Sequence, residues 1–418
     1  MLWLVSELYF PEEAATGYYM TLLAEGLAGH SKVGVICCQP RYGRDAVRAP
    51  WRENRHGVTI RRCRSTTFNK DRFLGRACNA FTSSLSMFFT SLRLFRPGDT
   101  VLVVTNPPSL PFVIAEACRW RRARCCLRID DVYPEAMVNA GFLKKRGLPT
   151  RCLGAVTARL YRRMYRIVVL GRDMHRLVKS RLNGASDRVE IIPNWADTEE
   201  VQPQAKSDNR TLKRLGLLDK FVVGYAGNLG PLQAIDCLFA SAIQLRREND
   251  VHFLIVGSGR RSAWLNAAVA ESQLKNICLL GQRPRREQED FLNACDVAVI
   301  SLVRGMSGVG VPSRLYNMLA AGKPIIASVD SDSEIAQVVR EERIGWVVPP
   351  EDPAALATAI LSARRASGEL AQMGCRARCS AQTKYTRELI VAAYRRVLDE
   401  AQPACVYAGL LRSSRSIY

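Results

Sequence analysis

A glycine-rich segment is the part of this chain whose residue types most directly indicate chemistry. Residues 305–328 read GMSGVGVPSRLYNMLAAGKPIIAS, with glycines at positions 305, 308 and 310 just before Pro312 and Ser313. Pro and Ser suit the first turn of a helix, and Gly322 suits its end. A glycine loop that leads into a helix exposes backbone N–H groups, which bind anions such as phosphates. The same pattern occurs in ordinary strand–loop–helix joints, so this segment alone leaves both interpretations open.

Three further glycine loops precede this one and strengthen the case for an anion site. Gly227, Gly257 and Gly281 each follow an apolar, strand-like run, and a helix-like run follows each loop. Alternation of strands and helices predicts a doubly wound α/β sheet, in which the carboxyl ends of the parallel strands lie at one edge. Four glycine loops at one edge predict a phosphate-bearing ligand more strongly than any single loop does.

A second group of residues that could do chemistry lies in the first half of the chain. The strand-like run 124–129 ends in Asp130 and Asp131, and Glu135 follows shortly after. Three acids at one strand end are costly unless they meet solvent or a ligand, so they form a second candidate site. Thr16 and Gly17 stand in a loop after the first strand-like run, where open α/β sheets bind ligands.

The elements that position these residues indicate two domains. At 418 residues the chain exceeds the usual size of one hydrophobic core. Strand–helix alternation occupies residues 1–200 and again 201–384, and the polar stretch 198–213 is predicted to be a linker. A helix over 385–400 is predicted to be able to cross back to the first domain, and 401–418 form a tail.

Residues 74–95 form the most regular amphipathic pattern in the chain. Leu, Phe, Ala and Cys recur there at helical spacing, opposite a face of Asn, Ser and Thr. The pattern favours a helix whose apolar face packs on the sheet. A helix lying on a membrane surface is the alternative, and the nearby Arg76, Arg93 and Arg96 support it.

Charge and cysteine content narrow the function classes further. The chain has 60 Lys and Arg against 39 Asp and Glu, a net charge of +21. This excess suits phosphorylated ligands or an anionic membrane surface. Nucleic acid is the weakest alternative, because the sequence has no zinc-finger spacing and no RNA-binding aromatic motif. The 14 cysteines lie mostly in apolar runs, which predicts reduced thiols and a cytoplasmic location.

Beyond these patterns, the order of motifs resembles the retaining GT-B glycosyltransferases of family 4. The likeness is strongest to the branch that makes bacterial capsule, colanic acid and O-antigen units, which includes fucosyl and fucosamine transferases. It extends from about Leu2 to Asp399. Its most specific motifs, in chain order, are LYFPEEAATGYYM, TNPPSLPF, RIDDVYPEAMVNAGFL, IIPNWAD, YAGNLG, VGSG, FLNACDVAVISL, VPSRLYNMLAAGKPII and IGWVVPPEDPAAL.

The resemblance implies an α/β fold of the GT-B type, with two Rossmann-like, doubly wound parallel-sheet domains facing a central cleft. Residues 1–200 would bind the acceptor and residues 201–384 the nucleotide-sugar. The implied activity is transfer of a sugar, with retention, from a UDP- or GDP-sugar to a lipid-linked or saccharide acceptor in bacterial exopolysaccharide or lipopolysaccharide synthesis. The acceptor would be a polyprenyl-diphosphate-linked sugar or an oligosaccharide. The protein would act at the inner face of the cell membrane as a peripheral protein, without cofactor, metal or nucleic acid.

The family's functional positions can be carried over one by one. Asp130, Asp131 and Glu135 match an acidic motif near the acceptor and are the candidate catalytic or acceptor-orienting residues. Arg314 is a charge partner for the leaving diphosphate. The residues at the family's donor-binding positions are Thr16, Gly17, Gly227, Asn228, Gln233, Gly257, Gln282, Arg283, Gly308, Gly310, Ser313, Arg314 and Asn317.

Several positions depart from the family pattern. The family's paired glutamates, eight positions apart, fall on Val309 and Asn317, and only the amide of Asn317 can still bind a hydroxyl. Asn228 and Gln233 stand where many relatives have Arg and Lys. Asp130 stands at the strand end where relatives commonly have a histidine.

Two alternatives accompany the transferase interpretation, besides nucleic-acid binding. Another GT-B enzyme, such as a nucleotide-sugar epimerase, would share the fold. A membrane-associated scaffold could have lost activity together with the two glutamates. Residues 330–332, Asp-Ser-Asp, match a short metal-binding pattern of a different glycosyltransferase fold, but they lie between a strand and a helix, where Asp and Ser are ordinary helix caps. We therefore predict no metal there.

Overall fold

In the computed structural model, the chain folds into two compact units. The first comprises Met1–Glu135, Lys144–Pro193 and the described residues from Glu388 onward, and the second comprises Ala136–Leu143 and Asn194–Arg387. The predicted domain boundaries, at 200/201 and 384/385, lie a few residues from these limits. The structure describes residues 1–40, 48–68, 73–182 and 186–399, so the predicted tail 401–418 lies outside the described residues.

The first unit is built on an eight-stranded sheet whose inner strands are near-continuous apolar runs. Its strands are β1 Leu2–Val5, β2 Val33–Cys38, β3 Arg52–Arg55, β4 Val58–Cys63, β5 Thr100–Val104, β6 Arg124–Ile129, β7 Arg166–Val169 and β8 Val189–Ile191. They lie in the order β3-β4-β2-β1-β5-β6-β7-β8. All neighbours are parallel except β3 and β4, which form an antiparallel edge pair that the sequence patterns did not predict. Every residue of β1, β2 and β5 is buried, as expected of strands covered on both faces.

Helices connect these strands. They are α1 Ala15–Ala28, α2 Phe73–Leu94, α3 Leu110–Arg121, α4 Glu135–Asn139, α5 Leu148–Arg163 and α6 Arg172–Arg181. Helix α4 begins with the last residue of the first unit's opening segment and continues into the second unit. Helix α3 packs against both α2 and α5.

Helix α2 forms where the amphipathic pattern predicted it, but its faces are inverted. Leu74, Phe81 and Phe89 are 75%, 66% and 52% exposed, whereas Ser83 and Ser91 are fully buried. The expected packing of the apolar face on the sheet is therefore wrong for these residues. The predicted periodicity was correct, because a spacing of three and four identifies a helix without stating which face the sheet will cover.

Hydrogen bonds explain why the polar face of α2 can be buried. Asn79 Oδ1 accepts from the backbone N–H of Phe68 at 2.9 Å, and Asn79 Nδ2 donates to the carbonyl of Phe68 at 2.8 Å. The hydroxyls of Ser84 and Ser109 lie 2.9 Å apart, which joins α2 to the start of α3. These satisfied polar groups can be buried without the penalty of an unpaired donor or acceptor. Ser91 is an exception, because its hydroxyl is buried without a hydrogen-bond partner.

The second unit is an all-parallel six-stranded sheet. Its strands are β9 Phe221–Ala226, β10 Val251–Val256, β11 Ile277–Gly281, β12 Val297–Ser301, β13 Ile325–Ser328 and β14 Gly345–Val348, in the order β11-β10-β9-β12-β13-β14. Its helices are α7 Arg210–Leu215, α8 Ile235–Gln244, α9 Ser262–Glu271, α10 Gln288–Asn293, α11 Arg314–Ala320, α12 Glu334–Glu341, α13 Pro353–Arg365 and α14 Ser367–Lys384. The strand order reverses between β9 and β12, which is where doubly wound sheets bind ligands.

Part of the predicted linker belongs to the fold of the second unit. Asn209 is fully buried, and its Oδ1 accepts from the backbone N–H of Leu212 as the N-cap of α7. The Arg378 guanidinium donates to the carbonyls of Val201 and Thr198 at 2.7 and 2.9 Å. The linker prediction for residues 198–213 was therefore wrong, because its polar side chains serve as caps and hydrogen-bond partners rather than as solvated chain.

The last described helix, α15 (Arg387–Leu398), belongs almost entirely to the first unit. Gly26 on α1 lies against it so closely that a Cβ there would be 2.9 Å from Val391 Cγ2. The hydroxyl of Tyr394 accepts from Arg128 Nη1 at 3.1 Å. Among the described residues, no helix combines the length and the hydropathy needed to cross a bilayer.

The described cysteines are free, and most are packed in the cores. Burial raises the pKa of Cys37 to about 12, and burial with the neighbouring Cys125 raises that of Cys126 to about 12. These side chains are therefore neutral thiols near pH 7 and act as small apolar residues, as the sequence predicted.

Candidate functional site

The carboxyl edge of the second sheet brings the predicted glycine loops close together. Gly227 and Gly257 follow β9 and β10 directly, and the N–H of each donates to the next strand, at Val256 O (2.9 Å) and Gly281 O (2.8 Å). A Cβ at Gly257 would lie 1.8 Å from the carbonyl oxygen of Gly227. With φ of +153° and +145°, both positions require glycine, so the backbone itself forms this surface.

Arg314 places a buried cation beside that backbone. It begins α11, is 8% exposed, and its Cζ lies 4.8 Å above the centre of the Tyr225 ring. A Cβ at Gly227 would be only 3.3 Å from Arg314 Cζ and Nη1. Nη1 is buried without a hydrogen-bond partner, and no carboxylate among the described residues forms an ion pair with Arg314. Burial raises the pKa of Tyr225, an effect that the Arg314 charge partly offsets.

This environment determines what can bind there. A guanidinium cannot lose its proton near neutral pH, and an unpaired buried charge costs several kcal/mol, on the order of 3 to 5. An anion at the Gly227 loop would supply the missing partner through charge-assisted hydrogen bonds. The geometry therefore suits a phosphate or carboxylate group.

The neighbouring polar residues hold the loops in shape. The hydroxyl of Tyr225 donates to Asn228 O at 2.8 Å, and Gln233 Oε1 accepts from Gly230 N at 3.1 Å. Gln282 Oε1 accepts from Ser258 Oγ at 3.0 Å, which ties the loop after β10 to the loop after β11.

The glycine loop after β12 is anchored by an acid. The carboxylate of Asp330 accepts from Gly305 N at 3.2 Å and from Ser307 N at 3.0 Å. Ser333, not Asp330, caps the following helix α12, with Oγ accepting from Ala336 N at 3.3 Å. The interpretation of Asp330 as an ordinary cap was therefore wrong, because its side chain turns back to the preceding loop.

The remaining predicted donor residues differ in what they contact. Ser313 precedes α11 and is half-buried, without a side-chain capping bond. Asn317 Oδ1 is buried without a partner, whereas Val309, at the other glutamate position, is 1% exposed. Arg283 lies 3.9 Å from the carboxylate of Glu287.

Gly308 and Gly310 complete the loop after β12. Both are buried, and Gly308 has φ of +77°, a conformation that favours glycine. In the same unit, Asn139 Nδ2 donates to the carbonyl of Gly305 at 2.6 Å. Nothing in the sequence pattern pointed to Asn139.

In the first unit, two of the three candidate acids are paired with arginines. Asp130 Oδ1 accepts from Arg128 Nε at 2.8 Å. Burial alone would lower the pKa of Arg128, but the Asp130 charge raises it. Glu135 accepts from the Arg181 guanidinium, which also donates to Tyr133 O at 2.7 Å. Both acids therefore hold the strand ends and α6 together.

Asp131 is different. Its backbone N–H and that of Asp130 donate to Thr105 Oγ1 at 3.3 and 3.0 Å, so the end of β5 positions it. Burial, followed by the charge of Asp130, raises the pKa of Asp131 to about 7. No cation among the described residues forms an ion pair with it. Asp131 is therefore a carboxyl group that can exchange a proton near neutral pH.

Thr16 and Gly17 lie in the first turn of α1 rather than in the loop before it, so their predicted place in a loop was wrong. Gly17 is buried, and a Cβ there would lie 2.9 Å from the carbonyl oxygen of Glu12. This glycine lets the loop after β1 pack against the helix.

Sequence reasoning gave no role to Tyr225 and Thr105, which lie against Arg314 and hold the backbone of Asp131 respectively. It singled out Asp330 but not its bonds to the glycine loop. Across the described residues, no three His, Cys, Asp or Glu side chains group closely enough to hold a metal ion.

Comparison with known proteins shows which family the chain resembles. A model described as "Glycosyl transferases group 1" matches residues 220–365, and a "Glycosyl transferase 4-like domain" model matches residues 15–195. WbjE of Pseudomonas aeruginosa, named as a glycosyltransferase, is 36% identical over 70% of this chain and 72% of its own. WcaI of Escherichia coli, whose name assigns it to colanic acid biosynthesis as a glycosyl transferase, is 27% identical over 85% of this chain and 90% of its own.

A solved structure agrees in fold. Anabaena HepE in complex with UDP and glucose superposes with a TM-score of 0.71 at 14% identity, covering 96% of this chain and 99% of HepE. At this identity the likeness concerns the fold alone. The predicted fold class, two Rossmann-like parallel-sheet domains of the GT-B type, is confirmed.

Proposed function

The chain belongs to the glycosyltransferase family of these models and relatives, and from that premise we propose that it transfers a sugar from a nucleoside-diphosphate-sugar to a saccharide or lipid-linked acceptor. The product would be part of a bacterial surface polysaccharide, since WcaI is named for colanic acid biosynthesis. Retention of anomeric configuration is part of the proposal and rests on the family resemblance. The donor would bind the second unit and the acceptor the first.

The unpaired Arg314 carries this proposal. Its buried Nη1 lies next to the Gly227 backbone at the switch point of the second sheet. As the bond from the sugar to the diphosphate breaks, negative charge grows on the leaving group, and a preorganised cation stabilises that charge more than it stabilises the bound donor. Val309 and Asn317 stand where the family has its paired glutamates. Of these two side chains, Asn317 offers a hydrogen-bond acceptor, its Oδ1.

Asp131 would orient the acceptor hydroxyl and take its proton. With a pKa raised to about 7, its carboxyl is near the optimum for general base work at neutral pH. Asp130 and Glu135, which were predicted together with it, would position the strand ends through Arg128 and Arg181.

A panel of UDP- and GDP-sugars tests the transferase proposal, with binding measured by calorimetry and transfer by product mass. We expect one donor to bind and to be consumed with an acceptor, and the anomeric proton coupling of the product to match that of the donor. Binding without turnover would favour the scaffold alternative, and conversion of the free donor to a different sugar would favour an epimerase. Failure of every donor to bind would contradict both the transferase and the epimerase.

We further propose that the first unit rests on an anionic bilayer through the outward face of α2. Phe81, Leu85 and Phe89 recur every four residues on that face and are 66%, 41% and 52% exposed. Such a stripe is typical of surface-lying helices. Exposed Arg93 and Arg96 follow at its end, and each basic residue near an anionic surface contributes about 1 kcal/mol.

Vesicle flotation tests this surface. The double variant Phe81→Ser/Phe89→Ser is expected to lose binding to vesicles that contain phosphatidylglycerol. Leu218→Ser/Leu389→Ser removes two exposed side chains elsewhere (41% and 38% exposed) and serves as the matched control. Equal binding by the two variants would contradict a docking role for α2.

A further inference from the structure

A pocket of about 800 Å³ opens at the amino-terminal edge of the first unit's sheet. It lies where β6 and β7 begin and before β8 starts. Its walls come from the ends of α3 and α5 and from Cys118, Cys125, Met164 and Tyr165. Five arginines also line it: Arg119, Arg124, Arg163, Arg166 and Arg188.

The sheet topology makes these arginines converge. Arg124 and Arg166 are the first residues of β6 and β7, and these two strands are parallel neighbours. Arg188 directly precedes β8, the next parallel strand. Because amino ends of parallel strands share one edge, three arginines separated widely in sequence meet there.

This edge is opposite to the one that carries the acids. Strand β6 runs from Arg124 in the pocket to Ile129, just before Asp130. Six residues at about 3.3 Å each separate the two ends by on the order of 20 Å. The pocket is therefore a different place in the first unit from the proposed acceptor site.

Two carboxylates, those of Glu116 and Glu190, lie near arginines of the pocket. Glu116 lies 3.1 Å from Arg119 and 3.7 Å from Arg163. Burial raises the pKa of Glu190, an effect that the charges of Arg166 and Arg396 partly offset. Among the described residues, the Arg188 guanidinium donates to the backbone carbonyl of Arg162 at 3.5 Å.

The guanidinium donors of the site suit phosphate better than an isolated chloride or carboxylate. Guanidinium groups bind phosphate oxygens in pairs of parallel hydrogen bonds, and several of them can share one diphosphate. The ring of Tyr165 lies 5.6 Å from Arg124 Cζ and 5.2 Å from Arg166 Cζ, which holds these two guanidinium groups near one aromatic surface. A volume of about 800 Å³ has room for such a group.

We propose that this five-arginine pocket binds a phosphate-bearing anion, a phosphate ester or a diphosphate. The ligand chemistry could come from the head group of an anionic phospholipid or from a soluble phosphorylated metabolite. Glu116, which lies beside Arg119 and Arg163, also accepts a hydrogen bond from Trp120 Nε1 at 2.9 Å. Trp120 packs against Phe88 of α2 at 5.6 Å between ring centres, so the pocket adjoins the α2 surface.

Calorimetric titration of the full chain with inorganic pyrophosphate tests the pocket. Arg166→Gln/Arg188→Gln is expected to weaken this binding at least about tenfold, since it removes two charged donors of hydrogen bonds to the phosphate oxygens. The control Lys145→Gln/Arg146→Gln removes two exposed charges of the same unit, before the start of α5, and is expected to leave pyrophosphate binding unchanged. Arg314→Gln separates this event from pyrophosphate binding at the proposed donor site and is expected to retain the pocket's binding.

Wild-type affinity in the pocket variant, or equal losses in the two charge-matched variants, would overturn the proposal. Circular dichroism melting shows whether Arg166→Gln/Arg188→Gln folds, and the single variant Arg188→Gln, at an exposed position, provides a milder substitution if it does not. A threefold or greater loss of pyrophosphate affinity in Arg188→Gln supports the pocket, and an unchanged affinity contradicts it.

Vesicle binding distinguishes a phospholipid head group from a soluble metabolite as the source of the phosphate. If pyrophosphate displaces the protein from phosphatidylglycerol vesicles, and the pocket variant binds those vesicles more weakly than Lys145→Gln/Arg146→Gln does, the source is a lipid head group. If vesicle binding is indifferent to pyrophosphate while calorimetry shows the pocket effect, the source is soluble. Both outcomes support a phosphate site. None of these binding measurements depends on sugar transfer, so a negative result for the pocket would leave the proposed function unaffected.

Discussion

At the carboxyl edges of the two sheets, an arginine and an aspartate lack an ion-pair partner among the described residues. In the second unit, Arg314 is 8% exposed and has no carboxylate partner among the described residues. In the first unit, Asp131 has no cation partner there, although Asp130 and Glu135 beside it are each paired with an arginine. Asp131 and Arg314 differ because a carboxyl group can become neutral by keeping its proton, whereas a guanidinium cannot lose its proton and stays charged.

That difference indicates two kinds of chemistry. A permanently charged group in a dry site is stabilised by an incoming anion, so the Arg314 edge suits phosphate binding. A group whose pKa is raised to about 7 can bind and release a proton, so the Asp131 edge suits a hydroxyl nucleophile. The following predictions test this contrast.

The largest expected effect is at the cation. Arg314→Gln should lower kcat/KM for the donor by about 100- to 1,000-fold, as removal of one preorganised donor to a developing charge does. Because an unpaired buried charge is removed, the free energy of unfolding without ligand should stay the same or rise by about 1 kcal/mol. Steady-state kinetics and urea unfolding measure the two quantities.

Arg364→Gln is the matched control for that experiment. Arg364 lies in the same unit but is already paired with Glu248 and Asp250 at 2.7 and 2.8 Å. We expect near-normal kinetics from it. Equal donor kinetics in both variants would contradict the role of Arg314.

The next effect is at the acid. Asp131→Asn should lower kcat by about 100-fold, within the range for a positioned general base, and should leave donor affinity unchanged. Asp130→Asn should instead destabilise the fold by about 3 kcal/mol, because it leaves the buried Arg128 without its carboxylate. If Asp130→Asn abolished turnover without changing stability, the assignment of the two residues would have to be exchanged.

The pH dependence gives a smaller and reversible test. The carboxylate of Asp131 forms as pH rises through about 7, so kcat should increase about tenfold per pH unit below that value and then level off. The native state binds this proton more tightly than the unfolded chain, whose carboxyl has the ordinary pKa of 3.8. Asp131 should therefore make the free energy of unfolding fall as pH rises from about 4 to 7. Asp131→Asn should remove both trends, and a persisting kinetic step near pH 7 would assign it elsewhere.

The smallest effect is expected at the anchor of the glycine loop. Asp330→Asn keeps the side-chain size but replaces a charged acceptor of the Gly305 and Ser307 N–H groups. A loss of about 1 kcal/mol should raise KM for the donor about fivefold and leave kcat nearly unchanged. Asp332→Asn is the control. A large fall in kcat would mean that Asp330 acts on the reacting groups directly.

Much of the second unit could be predicted from the sequence. Each glycine loop directly follows a continuous apolar strand, and repeated alternation forces parallel strands, so Gly227 and Gly257 had to lie at one edge. The family motifs then pointed to Arg314. What they could not state was that Arg314 is buried beside Tyr225 without a carboxylate, since a charge's partners are set by tertiary contacts.

The first unit was harder to predict. Asp130, Asp131 and Glu135 looked equivalent in sequence, and only the positions of Arg128, Arg181 and Thr105 distinguished them. Helix α2 was recognised by its period, but its buried and exposed faces were exchanged, because Ser and Asn side chains found hydrogen-bond partners inside.

The sequence by itself determined the two α/β units, the placement of the glycine loops and the family, because these follow from local periodicity and from the order of motifs along the chain. Only the tertiary structure decided which charges are paired, which face of α2 is covered and that five distant arginines share one pocket. These properties depend on burial and on contacts between residues far apart in the chain, and a linear pattern does not encode them.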